Sequence, residues 1–224
     1  MAGVSAAAAL LPRLAALDSC ACSDAMDRLG LAGVARGLRG LTVASRVTGP
    51  VLTVLLGPPG VAPGGRHLGT AAIEAAADGE VIVVAAGGRT DAAGWGGVLS
   101  LAAAIRRVSG VIVDGACRDV EESAALGLPV YALAAVPTTA RGRQAEVAWN
   151  VPVRIAGVTV APGDLVVADG SGVVFLPAGR AADIIAAAED ITAREAAMAS
   201  RIRAGEPVSR VLSGEYERML KDIS

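Results

Sequence analysis

The chain has 224 residues, a formal net charge of −2, 53% hydrophobic residues and 2% aromatic residues. That is enough apolar material for a sizeable core built from Val, Leu, Ile and Ala, and the balanced charge gives none of the basic footprint of a nucleic-acid binder. Three cysteines, Cys20, Cys22 and Cys117, form neither a disulfide framework nor a good metal clamp, which fits a reduced, cytoplasmic compartment.

In chain order, residues 4–17 read as an amphipathic helix rather than a signal peptide or membrane span, since no basic segment precedes the apolar run and Arg13 interrupts it. "SDAMDRLG" predicts a second short helix, with Ser23 or Asp24 near its N-cap and Gly30 at its end. "LTVASRV" and "PVLTVLL" read as strands split at Thr48-Gly49-Pro50, and "GPPGVAPGGRHLGT" as a loop. "AAIEAAADG" predicts a helix stopped by Gly79. "EVIVVAA" predicts a doubly buried strand ending at Gly87-Gly88. The apolar positions 98, 101, 102 and 105 predict the next helix. "VIVD", "VEESAALG" and "PVYALAA" complete a strand–helix–strand alternation, the mark of parallel β/α crossovers. From Val147 the chain breaks into short strands with Gly and Pro turns, predicting an antiparallel or barrel-like sheet. Residues 179–203 then predict a long helix, followed by a short one. The expected division is an α/β domain over 1–178 and a helical extension over 179–224 that packs on the domain or on a neighbouring subunit.

Ligands of β/α units sit beyond the carboxyl ends of the strands. Two such ends carry polar chemistry: the loop through Trp95-Gly96-Gly97, and "DGACRD", which presents Arg118 beside Asp119. Glycines and a helix N-terminus suit an anion. A guanidinium suits a carboxylate. An aspartate suits Mg²⁺ or Mn²⁺, which bind through one or two carboxylates plus substrate. A small α-keto acid would use all three. Spacing alone favours the plainer reading, a helix-terminal acid next to a surface arginine, over a keto-acid site.

"WGGVLS", then Arg118-Asp119 22 residues after Gly96, then "LGLPVYA" and "NVPVRIAGVTVAPGDLVVADGSGVVFLP", together resemble the RraA-like family; so does "SDAMDRLG". The family includes divalent-metal-dependent 4-hydroxy-4-methyl-2-oxoglutarate aldolases with oxaloacetate decarboxylase activity, and also regulators of ribonuclease activity that lack the Arg-Asp pair. The resemblance implies a swivelling β/β/α fold and a homotrimer, or a hexamer of two trimers, with the site near a subunit interface. It implies substrate binding by Arg118, metal ligation by Asp119 alone, and a pyruvate-carboxylate cradle made by Gly96, Gly97, Val98 and Leu99. The residue after the loop glycine is commonly acidic in the aldolases; here it is Gly97, a departure that weakens retro-aldol cleavage more than decarboxylation, because only the former must deprotonate a hydroxyl first.

Glu195 is a candidate replacement. It follows Ile184, Ala188 and Ile191 on one helical stripe, where a carboxylate needs a partner, and the alternatives are solvent or a neighbouring subunit's site. His67, the one histidine, is expected to be structural or solvated, and Asp91 a helix N-cap. Asp114 is expected to satisfy loop amides, Cys117 to be a small packed residue, and Trp95 to pack on the cleft wall. No glycine-rich nucleotide loop follows the first strand, which argues against S-adenosylmethionine binding.

Overall fold

The computed structural model describes residues 2–43, 45–60 and 66–212. Helices α1 (Ala2–Ala15) and α2 (Ser19–Arg28) open the chain. α2 begins earlier than Ser23 because Asp18 caps it, its carboxylate accepting the Ala21 N–H at 2.8 Å. Asp169 anchors the same turn by accepting the N–H and hydroxyl of Ser19 at 2.8 and 2.6 Å. Strands β1 (Val34–Ala35) and β2 (Arg39–Gly40) are short. Of the strand expected over residues 41–47, only Val47 is extended among the described residues; Leu41 donates to the Val130 carbonyl and the Thr42 hydroxyl to that of Leu128.

Strand β3 (Val47–Gly57) runs straight through Thr48-Gly49-Pro50, where the sequence predicted a break. The turn-like residues mark a change of partner instead. Up to Pro50, β3 pairs antiparallel with a later strand, and from Val51 it pairs parallel with the next one, so the missing proline N–H falls at the exchange. Gly49 is needed for close approach, since a Cβ there would lie 2.3 Å from the Gly79 carbonyl oxygen.

The predicted crossovers follow: α3 (Thr70–Ala75), β4 (Val81–Ala93), α4 (Gly97–Ile105), β5 (Gly110–Cys117), α5 (Val120–Ala125) and β6 (Val130–Ala135). β4 continues six residues past Gly87 in an irregular register against β5, which the alternation of glycine and polar residues concealed. Then come β7 (Ala145–Trp149), β8 (Val153–Ile155), β9 (Val158–Val160), β10 (Leu165–Asp169) and β11 (Gly172–Leu176), all in antiparallel pairings as expected. Helices α6 (Ala181–Arg203) and α7 (Val208–Val211) close the described chain. Of the expected C-terminal extension, residues 213–224 lie outside the described residues, as do 61–65 of the glycine- and proline-rich loop.

The main sheet has the order β1-β11-β10-β3-β4-β5-β6-β2, with β7 also on β3; β3 to β6 are parallel and the remainder antiparallel. The result is the mixed α/β domain with a long C-terminal helix that the sequence predicts. One face of the central strands, with Ile82, Val84, Val111 and Val113, packs under α3, α4 and α5. The other, with Val83 and Ile112, meets Ile155 and Phe175. α1, α2 and α6 cover β10 and β11 through Leu14, Met26, Ile184, Ile185 and Ile191. Each such isoleucine contributes about 1.5–3 kcal/mol by leaving water. The α6 stripe stays buried only as far as Ile191; Glu195, beyond it, is exposed in this chain.

Candidate functional site

Parallel pairing of β4 with β5 sets their carboxyl ends side by side, and two backbone bonds tie the loops that follow: Gly94 donates to the Ala116 carbonyl at 2.8 Å, and Arg118 donates to that of Trp95 at 3.0 Å. Between them lies a cleft of about 200 Å³ bordered by Trp95, Gly96, Val98, Leu99, Arg118 and Asp119. That is smaller than the ~300–1,000 Å³ typical of sites for drug-sized molecules, and it suits a small one. The sequence-predicted residues of the two loops therefore meet in one concavity.

Asp119 adopts a left-handed backbone, φ 56°, which aspartate tolerates better than most residues. It stands at the N-cap position of α5 but makes no side-chain cap bond there. Its carboxylate turns instead to α4, where Oδ2 accepts the Gly97 N–H at 2.9 Å, and the Arg118 Nε donates to Oδ1 and Oδ2 at 3.2 and 3.1 Å. The Gly97 amide, and after it the guanidinium, hold this carboxyl below its usual range against a desolvation that opposes them. Both side chains remain accessible, 38% exposed for Arg118 and 28% for Asp119.

This arrangement corrects one expectation. Of the amides expected to form an anion cradle, that of Gly97 is occupied by Asp119; in the first turn of α4, helix geometry leaves the Val98 and Leu99 amides without intrahelical partners, while the Ser100 N–H bonds the Gly96 carbonyl. The bare Gly96 lets the pair lie close, since a Cβ there would sit 3.0 Å from both the Arg118 Cγ and the Asp119 Oδ2 and press them outward.

A buried hydroxyl relay supports the pair from below. The Trp95 indole N–H donates to the Ser100 hydroxyl at 2.9 Å, Ser100 and Ser123 hydroxyls share a bond of 2.7 Å, and Ser123 donates to the Asp119 carbonyl at 3.1 Å. Trp95 thus forms the cleft wall as expected, with its polar atom satisfied. The serines carry no signal in sequence beyond lying one helical turn into α4 and α5.

Asp119 fits a hard divalent cation. Its carboxylate is ionised and accessible, and the three hydrogen bonds it accepts from two donors leave a lone pair free. Among the described residues, no group of three or more His, Cys, Asp or Glu side chains is gathered for a metal, so a cation here would rely on one or two carboxylates, with water and substrate completing its shell, as Mg²⁺ commonly does.

The remaining candidates separate. Glu195 does not line the cleft; its electrostatic neighbours are Asp24 and Asp18, and burial followed by those like charges pushes its carboxyl upward. Asp91 is no helix cap, since it lies within β4 and pairs with Arg89 at 2.8 Å. Asp114 is buried and its carboxylate faces the Gly88 and Ala156 amides, the loop role expected, with burial raising its pKa. Cys117 is buried and its thiol is pushed up to about 11 by burial, which leaves it inert. His67, expected to be structural or solvated, borders the cleft, as do Thr139 and Arg141. Arg141 was passed over in sequence because its neighbourhood is too thin to signal anything; no carboxylate partner for its guanidinium occurs among the described residues. The loop carrying His67 is fixed by Glu146, a buried residue whose carboxylate accepts the Gly69 N–H at 2.7 Å.

The helix predicted from the apolar positions 98, 101, 102 and 105 is present as α4. Its buried residues are Gly97, Leu99, Ser100 and Ala103, whereas Val98, Leu101 and Ile105 are 83%, 48% and 73% exposed. The periodicity that predicts the helix therefore lies on its outer face, beginning at the cleft.

Known proteins share this fold and pattern. An uncharacterised protein of Pseudomonas syringae pv. tomato superposes with a TM-score of 0.84 at 28% identity over 92% of this chain and 98% of its own. Streptomyces coelicolor RraAS2, described as an unusual member of the RNase ES inhibitor RraA protein family, superposes with a TM-score of 0.74 at 29% identity over 83% and 93%. A Halalkalibacterium halodurans protein provisionally named 4-hydroxy-4-methyl-2-oxoglutarate aldolase is 34% identical over 191 residues, 81% of this chain and 85% of its own. Protein DlpA of Legionella pneumophila is 29% identical over 79% of this chain, which spans only 29% of the length of DlpA. The family model for RraA-like proteins, Aldolase/RraA, matches residues 19–175, and the chain belongs to the RraA-like family.

Proposed function

We propose that the protein is a divalent-metal-dependent carbon–carbon lyase that releases pyruvate from a small keto acid, either oxaloacetate or a 4-hydroxy-4-methyl-2-oxoglutarate-like substrate. The observation that carries this reading is the convergence of Arg118, Asp119 and the free first-turn amides of α4 on one small cleft. The name of the Halalkalibacterium relative supports it. A regulator of ribonuclease activity is the alternative that the RraAS2 description raises. A built and accessible Arg–Asp pair at the cleft favours the enzyme.

In this mechanism the Val98 and Leu99 amides orient the substrate carboxylate and Arg118 faces the keto oxygen. Asp119 would hold Mg²⁺ or Mn²⁺, which when bound would supply Lewis-acid polarisation of the keto acid. For oxaloacetate, the C3–C4 bond breaks, CO₂ leaves, and the electron pair passes into the enolate of pyruvate. Arg118 meets the charge that develops on the enolate oxygen, and a proton from solvent at C3 completes pyruvate. Arg141, unpaired among the described residues on the cleft border, suits the distal carboxylate of such a substrate.

Assembly belongs to the same reading. The exposed α4 stripe starts at the cleft, so a second copy docking there would cover Leu101 and Ile105 and border the site. Glu195 would enter a cleft only from another copy. Replacing Ile105 with Glu is expected to shift the assembly towards monomer in analytical ultracentrifugation. The test of function is pyruvate release from oxaloacetate in the presence of Mn²⁺: wild-type protein turns over, and Arg118→Ala and Asp119→Ala do not. Equal turnover in all three proteins overturns the site.

A further inference from the structure

A glycine at position 97 leaves space above the α4 N-terminus, and that space is filled. A Cβ built on Gly97 would meet the Glu122 Oε2 at 1.9 Å and the Asp119 Cβ at 3.1 Å. Glu122 lies one helical turn after Asp119, at the spacing that sets two side chains on the same face of a helix. Both carboxyl-bearing side chains thus reach the same backbone position from α5. One accepts its N–H, and the other occupies the volume that a side chain at 97 would take.

From this geometry we infer that Glu122 is the second acid of the cation site, a positioning residue that delivers from α5 the carboxylate that the α4 loop lacks. The inference rests on the metal-dependent lyase reading above. It displaces Glu195 as the replacement for a loop acid within a single chain, because Glu122 packs on Gly97, a residue of the cleft wall, whereas Glu195 neighbours Asp24 and Asp18. The role is electrostatic. Glu122 adds a second negative charge beside Asp119 and an acceptor for the hydrogen bonds of whatever completes the cation's shell, the kind of outer-shell contact whose loss weakens metal sites about 10–100-fold. Its position also explains why Gly97 is tolerated. The atom in the way is the end of a flexible side chain, so the two positions are interchangeable carriers of one carboxylate.

The experiment is a titration with Mn²⁺ alone, followed by the electron paramagnetic resonance of the free ion, together with the kinetics of oxaloacetate decarboxylation. Glu122→Gln is expected to weaken Mn²⁺ binding about tenfold or more, while Glu121→Gln, a change in the same turn, leaves it within twofold. In Glu122→Ala, adding Gly97→Asp is expected to restore affinity and kcat to within a few-fold of wild type, whereas adding Gly97→Ala restores neither. Rescue by moving the charge distinguishes a site role from a contribution to the α5 N-terminus, which only the melting temperature would register. Wild-type affinity in Glu122→Gln, or no rescue by Gly97→Asp, overturns the inference and leaves the lyase reading intact so long as Asp119→Ala loses Mn²⁺. Failure of the wild-type protein to bind Mn²⁺ overturns both.

Discussion

Two groups of carboxylates in this molecule experience opposite electrostatics. At the cleft, an amide and a guanidinium hold Asp119 ionised below its usual range. At the packing of α2 against α6, burial pushes the carboxyls of Asp24 and Glu195 upward, and like charges add to it: Asp27 and Asp18 beside Asp24, and Asp24 and Asp18 beside Glu195. The first group is arranged to bind something positive. The second is a repulsive patch that folding tolerates. The difference lies in the supply of donors: α4 offers its N-terminal amides to Asp119, whereas the amide that Asp18 accepts belongs to its own helix cap.

The largest expected effects break the favourable side. Arg118→Ala should lower kcat for oxaloacetate about 10²–10³-fold. Asp119→Asn, which keeps the shape and removes the charge, should cost at least as much and abolish the response to added Mn²⁺. Next comes the support beneath. Ser100→Ala leaves the buried Trp95 N–H without its acceptor. It should destabilise the fold by about 1–3 kcal/mol and lower Tm by several degrees in a thermal melt.

The smallest effect sharpens the repulsive side. A carboxyl raised by folding contributes stability at pH below the ordinary carboxylate range, and that stability is lost as pH rises through the raised value. Glu195→Gln should therefore raise Tm at pH 7 by about 1–2 °C, with the gain fading towards pH 4. Unchanged turnover in the same variant would remove Glu195 from any site formed with a neighbouring copy.

Arg118, Asp119 and Gly96 were legible in the chain because their signal is local: a buried strand that ends in an Arg-Asp pair, and a glycine turn that opens a helix. Parallel crossovers were legible for the same reason, since β5 and the start of β4 are continuous apolar runs. What failed were local rules overridden by partners. Pro50 did not end β3, because the strand exchanges neighbours there. The apolar periodicity marked α4 but not its buried face, which Leu99 and Ala103 fill. His67 and Arg141 carry no pattern in sequence, being brought to the cleft border by chain segments far apart in sequence, and Glu146 carries none as the anchor of the His67 loop.

The sequence by itself determined the order of the central strands and helices and the identity of the Arg–Asp pair, since these depend on periodicity and on residues adjacent along the chain. Only the tertiary structure decided that Asp119 turns away from its own helix to take the Gly97 amide, and that Glu122 fills the space above that glycine. Distances between side chains on different elements are set by how the sheet and helices pack, and no one-dimensional spacing encodes them.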